Sequence, residues 1–223
     1  MKKIAYFIAF VMIASLCITS AFAARVSGPV YVYYGDGDRY KTYTDIKNHM
    51  GVIGYDVQAR YNWDSSGLLY ALDDAKIVVF HNHGSPGKQQ SGYISGKAYG
   101  IAATGGDAYY YKNVGAMAPG SMSQLKIAIM YGCRTGEYSS VYGNLPGTMV
   151  NKGAQTAVAW TVTTYVNEVN EWNRLFFEKA QTDNIVESFR HADYWLRSIL
   201  GDTAANRMQQ NRNEKGDIYG YVF

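Results

Sequence analysis

The chain has 223 residues, with 21 Lys and Arg against 18 Asp and Glu and a formal net charge of +3. That near-balance, without a basic block, leaves no electrostatic basis for binding nucleic acid or an anionic membrane surface. The length suits a single domain with a sizeable core, and two cysteines, one of them in the leader described next, exclude an internal disulfide in the exported chain.

Residues 1–23 read as a secretory signal peptide: Lys2 and Lys3 at the start, an apolar stretch from Ile4 to Leu16, and Ala21-Phe22-Ala23 as a small-x-small cleavage site. The stretch is short for a membrane span and is soon followed by Thr19 and Ser20, so cleavage is the expectation, with an uncleaved anchor as the alternative left open. Cys17 would leave with the leader. The expectation is a secreted, extracellular domain over 24–223, with no stable membrane span after cleavage. The leader holds two lysines and no acid, so the net charge would fall to +1.

Val30 to Tyr34 is rich in β-branched and aromatic residues and stops at Gly35-Asp36-Gly37-Asp38, which predicts a strand and a turn. Tyr40 to Met50 predicts a helix ended by Gly51. Tyr55 to Trp63 alternates as a strand, and Ser65-Ser66 can cap a helix through Ala75. An apolar strand follows at 76–81. The glycine- and tyrosine-rich stretch 85–114 predicts a hairpin near Gly92–Gly100, and a short helix is expected around 115–125. A second apolar strand at 126–131 is followed by a helix near 146–152 and a strand from Gln155 to Val162. Two helices, 166–181 and 184–199, precede a last strand from Ile218 to Phe223. Strands alternating with helices predict an α/β fold with a parallel or mostly parallel sheet covered on both faces. The runs at 76–80 and 126–130 lack alternation, as central strands do.

Both central strands end on reactive side chains. One runs Ile77-Val78-Val79-Phe80-His81-Asn82-His83-Gly84; the other runs Ile127-Ala128-Ile129-Met130-Tyr131-Gly132-Cys133. Ligands of open parallel sheets gather beyond the carboxyl ends of the strands, where His83 and Cys133 fall. A thiol attacks a carbonyl as thiolate and needs a base nearby, and histidine can also protonate the leaving amine. Gly84 and Gly132 admit a substrate backbone, and the amides of Gly84 and Cys133 can converge on an oxyanion. Singly, such a cysteine or histidine is more often structural. Their shared sheet edge carries the case.

His81 and His83 lie two apart and face the same way in an extended chain. Ser85-Pro86-Gly87 follows instead of further ligands, and His49 and His191 fall in predicted helices, so no metal site is expected. Gly35-Asp36-Gly37-Asp38 lacks the spacing of a calcium loop. Asp36 lies near the expected cleft and is a candidate substrate contact.

Three blocks make the chain resemble the caspase-like (clan CD) cysteine peptidases, most of all their CHAT and gingipain-type branch. These are Asn82-His83-Gly84, Tyr131-Gly132-Cys133-Arg134-Thr135-Gly136, and Gly147 to Ala154 running into Ala157-Val158-Ala159-Trp160, with the later helix Val186 to Ala192. The resemblance spans about 30–223. It implies a three-layer sandwich with helices on both faces of a mostly parallel sheet of about six strands. It also implies a Cys133 nucleophile, His83 as general acid and base, and the Gly84 and Cys133 amides as oxyanion donors. The substrate would be a peptide or protein, and no cofactor is implied. Some arginine-cleaving relatives carry an acid two positions before the nucleophile; Tyr131 stands there, so basic-residue specificity is not supported. The candidate substrate-binding residues are Asp36, His81, Tyr131, Glu137 and the stretch Trp160 to Thr164, with Thr161 and Thr163 in it. Two rival readings stay open: a catalytically inactive extracellular binding domain, and an amidase or acyl transferase using the same dyad.

Overall fold

The computed structural model describes residues 28–61, 65–85, 100–102, 108–109, 111–138 and 144–222. The expected leader and all but Gly100 of the expected hairpin lie outside them, as do the side chains of Ser65 and Ser66.

The main sheet has five parallel strands: β1 (Pro29–Tyr34), β2 (Asp56–Tyr61), β3 (Ile77–His81), β7 (Ile127–Met130) and β8 (Thr156–Trp160). A sixth, β9 (Arg212–Gly216), joins antiparallel to β8, giving the order β2-β1-β3-β7-β8-β9. A small antiparallel sheet of β4 (Gly84–Ser85), β5 (Gly100–Ala102) and β6 (Ala108–Tyr109) begins one residue after His83.

Among the described residues seven α-helices accompany the sheet: α1 (Tyr40–Met50), α2 (Ser65–Asp74), α3 (Tyr111–Gly115), α4 (Leu145–Asn151), α5 (Val166–Ala180), α6 (Ile185–Leu200) and α7 (Asp202–Gln210). Alternate residues of β3 and β7 serve opposite faces, and every one is buried because both faces are covered. Ile77, Val79, Ile127 and Ile129 pack with Ile46 of α1 and Trp172 of α5. Val78, Phe80, Ala128 and Met130 pack with Leu72 of α2 and Met149 of α4. Each large apolar side chain buried this way contributes about 1.5–3 kcal/mol. This three-layer sandwich is the caspase-like α/β architecture expected above. Two of its helices, α4 and α6, start where the sequence offers caps: Asn144 Oδ1 accepts from the Gly147 amide at 2.7 Å, and Asn184 Oδ1 from the Glu187 amide at 2.9 Å.

Several stretches differ from expectation. Residues 116–124 form turns rather than a helix, because Pro119 and Gly120 (φ +77°) interrupt the stretch. The chain after α6 forms α7 and β9, neither expected. Ile218 to Val222 is not a strand; it makes one bridge, Asn184 with Tyr221, and Val222 is buried with its carbonyl accepting from the Tyr55 hydroxyl at 2.8 Å. Among the described residues no helix is long and apolar enough to cross a membrane.

Connections leave β1 toward β2 on one side and reach β3 on the other, so the order reverses between β1 and β3. The crevice at such a reversal, beyond the carboxyl ends, is where ligands gather in open α/β sheets. The loops after β1, β3, β7 and β8 surround it.

Candidate functional site

β3 and β7 pair in parallel from Ile77 with Ile127 to Phe80 with Met130, and the Tyr131 amide extends the ladder to the Phe80 carbonyl at 2.8 Å. Identical register carries both chains past the sheet edge side by side. A side chain at Gly84 would collide with the Cys133 carbonyl, and its Cβ would lie 2.9 Å from the Cys133 nitrogen. A Cβ at Gly132 would lie 3.0 Å from the Gly84 nitrogen. The two backbones therefore touch, and glycine is required on both sides of the contact. The segment bearing His83 lies against the segment bearing Cys133.

Cys133 is half-buried. Its Sγ lies 3.8 Å from the Thr164 carbonyl and 3.9 Å from Thr164 Oγ1, while that hydroxyl donates to the Tyr131 carbonyl at 2.7 Å. Thr164, in the loop between β8 and α5, thus braces the sulfur from the side. The next residue, Arg134, has φ +59°, a left-handed conformation that costs a non-glycine residue about 1–3 kcal/mol. Its amide donates to the Val162 carbonyl at 3.0 Å, and its guanidinium pairs with Glu137 Oε1 at 2.7 Å. The Thr135 hydroxyl donates within the same turn to Met130 and Gly132 carbonyls. A sharp, over-determined turn presents the thiol.

His83 is exposed. Its amide donates to Asn82 Oδ1 at 2.8 Å, and the same Asn82 amide group fills the space over Gly35. The Gly35 amide donates to the His81 carbonyl at 3.1 Å, tying the β1 loop to the β3 end. From that loop Arg39 Nη2 approaches His83 Nε2 at 3.4 Å while Nη1 donates to the Asp36 carbonyl at 2.8 Å. Partial desolvation, then the Arg39 charge, push the His83 pKa below its ordinary value, with Asp36 acting the other way. The shift favours the neutral imidazole, the form in which it can accept a proton.

The structure separates the remaining candidates. Asp36 stands exposed on the crevice rim, its carboxylate accepting from the Tyr61 hydroxyl at 2.6 Å. Thr163 is exposed in the β8–α5 loop, and Thr161 is turned to use, its hydroxyl donating to the Asn211 carbonyl at 3.2 Å. Glu137 is committed to Arg134, although its Oε2 is buried without a partner among the described residues. For His81, Tyr131 and Trp160 the expectation of substrate contact is corrected: they are 2%, 1% and 0% exposed. They form the floor instead. Tyr131 stacks on Trp160 at 5.0 Å and meets His81 edge-on at 5.7 Å, and Trp160 donates to the Met208 carbonyl at 2.8 Å. His81 Nδ1 pairs with the Thr42 hydroxyl at 2.6 Å. Burial holds its pKa down at about 3, with smaller contributions from Arg39 and His83.

Arg39 and Asn82 belong to the site and were not anticipated. Asn82 had a signal, standing next to His83; Arg39 had none, because its contact is made across strands. Among the described residues no group of three or more His, Cys, Asp or Glu is placed to hold a metal. The arrangement offers a thiol and a neutral imidazole on neighbouring strand ends, with glycine backbone between them.

No protein-family profile matches this sequence, and no curated protein matches it. In structure it is similar to a chain of the Saccharomyces cerevisiae separase–securin complex in two crystal structures. The TM-scores are 0.52 and 0.50, at 13% and 14% identity, over 88% of this chain in both. The match takes in only 12% and 13% of the separase-complex chain. At this identity the likeness establishes the caspase-like fold.

Proposed function

We propose that this chain is a cysteine peptidase acting on peptides or proteins through a Cys133–His83 dyad. The observation that carries the reading is the backbone contact between Gly84 and Cys133, which sets the segments bearing the imidazole and the thiol against each other. The fold shared with the separase-complex chain supports it. So does the lowering of the His83 pKa by desolvation and the Arg39 charge, which favours the proton-accepting form.

In this reading His83 takes the thiol proton as the Cys133 sulfur attacks the carbonyl carbon. The negative oxygen is met by the amides of Gly84 and Cys133. His83 then gives the proton to the departing amine, leaving a thioester on Cys133. Water, deprotonated by His83, attacks that thioester and frees the acid and the thiol. The finer parts are proposals of the same kind: a CHAT or gingipain-type relationship, export by the leader, and no preference for basic residues, since Tyr131 is a buried phenol. A protein target is consistent with the separase neighbour's own complex with securin.

Incubating the chain from Ala24 with a diverse peptide library, followed by mass spectrometry, tests the proposal. Cleavage that disappears in Cys133→Ala and falls about 10²- to 10⁴-fold in His83→Ala is expected. Cleavage surviving in Cys133→Ala, or acyl transfer to added amines with no hydrolysis, would overturn it.

A further inference from the structure

A guanidinium has hydrogens to give and no lone pair to receive. In the contact between Arg39 Nη2 and His83 Nε2 at 3.4 Å, Arg39 is therefore the donor and the imidazole nitrogen the acceptor. That assigns the single imidazole proton to Nδ1 and leaves the Nε2 lone pair engaged. We propose that Arg39 is a positioning residue that keeps the resting dyad uncharged, by occupying the lone pair with which His83 would otherwise accept the Cys133 proton. The inference rests on the dyad reading above.

Arg39 is held for this task from behind. It closes the 3-10 turn Gly37–Arg39, leads directly into α1, and its Nη1 is fixed on the Asp36 carbonyl. The His83 side is held by Asn82, whose amide group both accepts from the His83 nitrogen and lies over Gly35. The long, exposed contact is weak, so it yields when a bound peptide offers the guanidinium a better acceptor, a carbonyl or carboxylate oxygen. Nε2 is then free to take the thiol proton. Charged groups around His83 act in both directions. Arg39 disfavours the imidazolium and the Asp36 carboxylate, bound to Tyr61, favours it. His81, behind it on β3, is neutral above about pH 3.

The test follows the ring protons of His83 by NMR across pH, assigned by their loss in His83→Ala, beside the rate of Cys133 alkylation by iodoacetamide at pH 7. Arg39→Gln should raise the His83 midpoint and speed alkylation about two- to fivefold, the size expected for one exposed charge interaction. Arg39→Lys, which keeps the charge without the fork, should fall between Gln and wild type. Asp36→Asn should move the midpoint downward. In a His83→Ala background Arg39→Gln should leave alkylation unchanged. An unmoved His83 midpoint in Arg39→Gln would overturn the inference, as would an equal acceleration with and without His83. Were alkylation of Arg39→Gln the same as that of Arg39→Gln with His83→Ala, the dyad itself would fail and the inference with it, whereas a raised His83 midpoint with His83-dependent alkylation upholds both.

Discussion

At the scale of single residues, the site depends on backbone approach more than on side-chain contact. Gly84 illustrates this: a methyl group there meets the Cys133 carbonyl, and neither backbone can retreat without opening the β3–β7 edge. Gly84→Ala should therefore cost about 1–3 kcal/mol, read by urea denaturation, and abolish any Cys133-dependent activity. Gly35→Ala is the instructive contrast. Its methyl would displace the Asn82 amide group, a side chain that can rotate, so stability should change by less than about 1 kcal/mol while the His83 segment loosens. Equal destabilisation by the two substitutions would contradict this view of the edge. The thiol and imidazole were legible because each ends an apolar run beside glycine. The floor was not: His81 and Tyr131 stand two residues before the reactive positions and Trp160 ends β8, and all three belong to the sheet, whose two faces are covered by helices, whereas His83 and Cys133 lie past the strand ends.

Among the elements, those with strong apolar periodicity appeared where expected. α1 spans Tyr40–Met50 as anticipated, and α5 and α6 fall within about a residue of their expected bounds. β9 was hidden because Arg212-Asn213-Glu214-Lys215-Gly216 has no apolar residue; it is a strand because β8 supplies a free edge and α6 a carboxylate. Arg212 is 7% exposed, bound by both oxygens of Asp193 at 2.8 and 3.0 Å, and stacked 4.3 Å from the Phe189 ring. Trp172 Nε1 donates to the same carboxylate at 2.8 Å. Replacing Asp193 by Ala would leave a buried guanidinium with Glu214 alone and an indole N–H unpaired. A loss of about 3 kcal/mol in unfolding free energy is expected. A change below about 1 kcal/mol would mean that β9 is not locked through this pair.

For the whole molecule, two buried titrations oppose each other. His81 has a folded pKa of about 3 against about 6.5 when unfolded. Its contribution is complete above 6.5 and is lost as pH falls from there toward 3, at up to about 1.4 kcal/mol per pH unit, because the unfolded chain takes the proton the folded one refuses. Asp45, on α1 and half-buried, has its pKa raised to about 6 by desolvation, only partly offset by Arg174. Its carboxylate is costly above pH 6, and between 6 and its ordinary value of 3.8 the folded state gains by binding the proton. Asp45→Asn should thus stabilise at pH 8 by about 1 kcal/mol after screening, and steepen the acid loss governed by His81. Urea denaturation at pH 8, 6 and 5 measures both. The central claim is that imidazole 83 and thiol 133 work as one unit across the two strand ends. Its most direct test is the rate at which an activated peptide ester acylates Cys133, followed by mass spectrometry of the adduct. A thioester mapped to Cys133 that forms about 10²-fold or more slowly in His83→Ala is predicted; equal rates in the two proteins would contradict it.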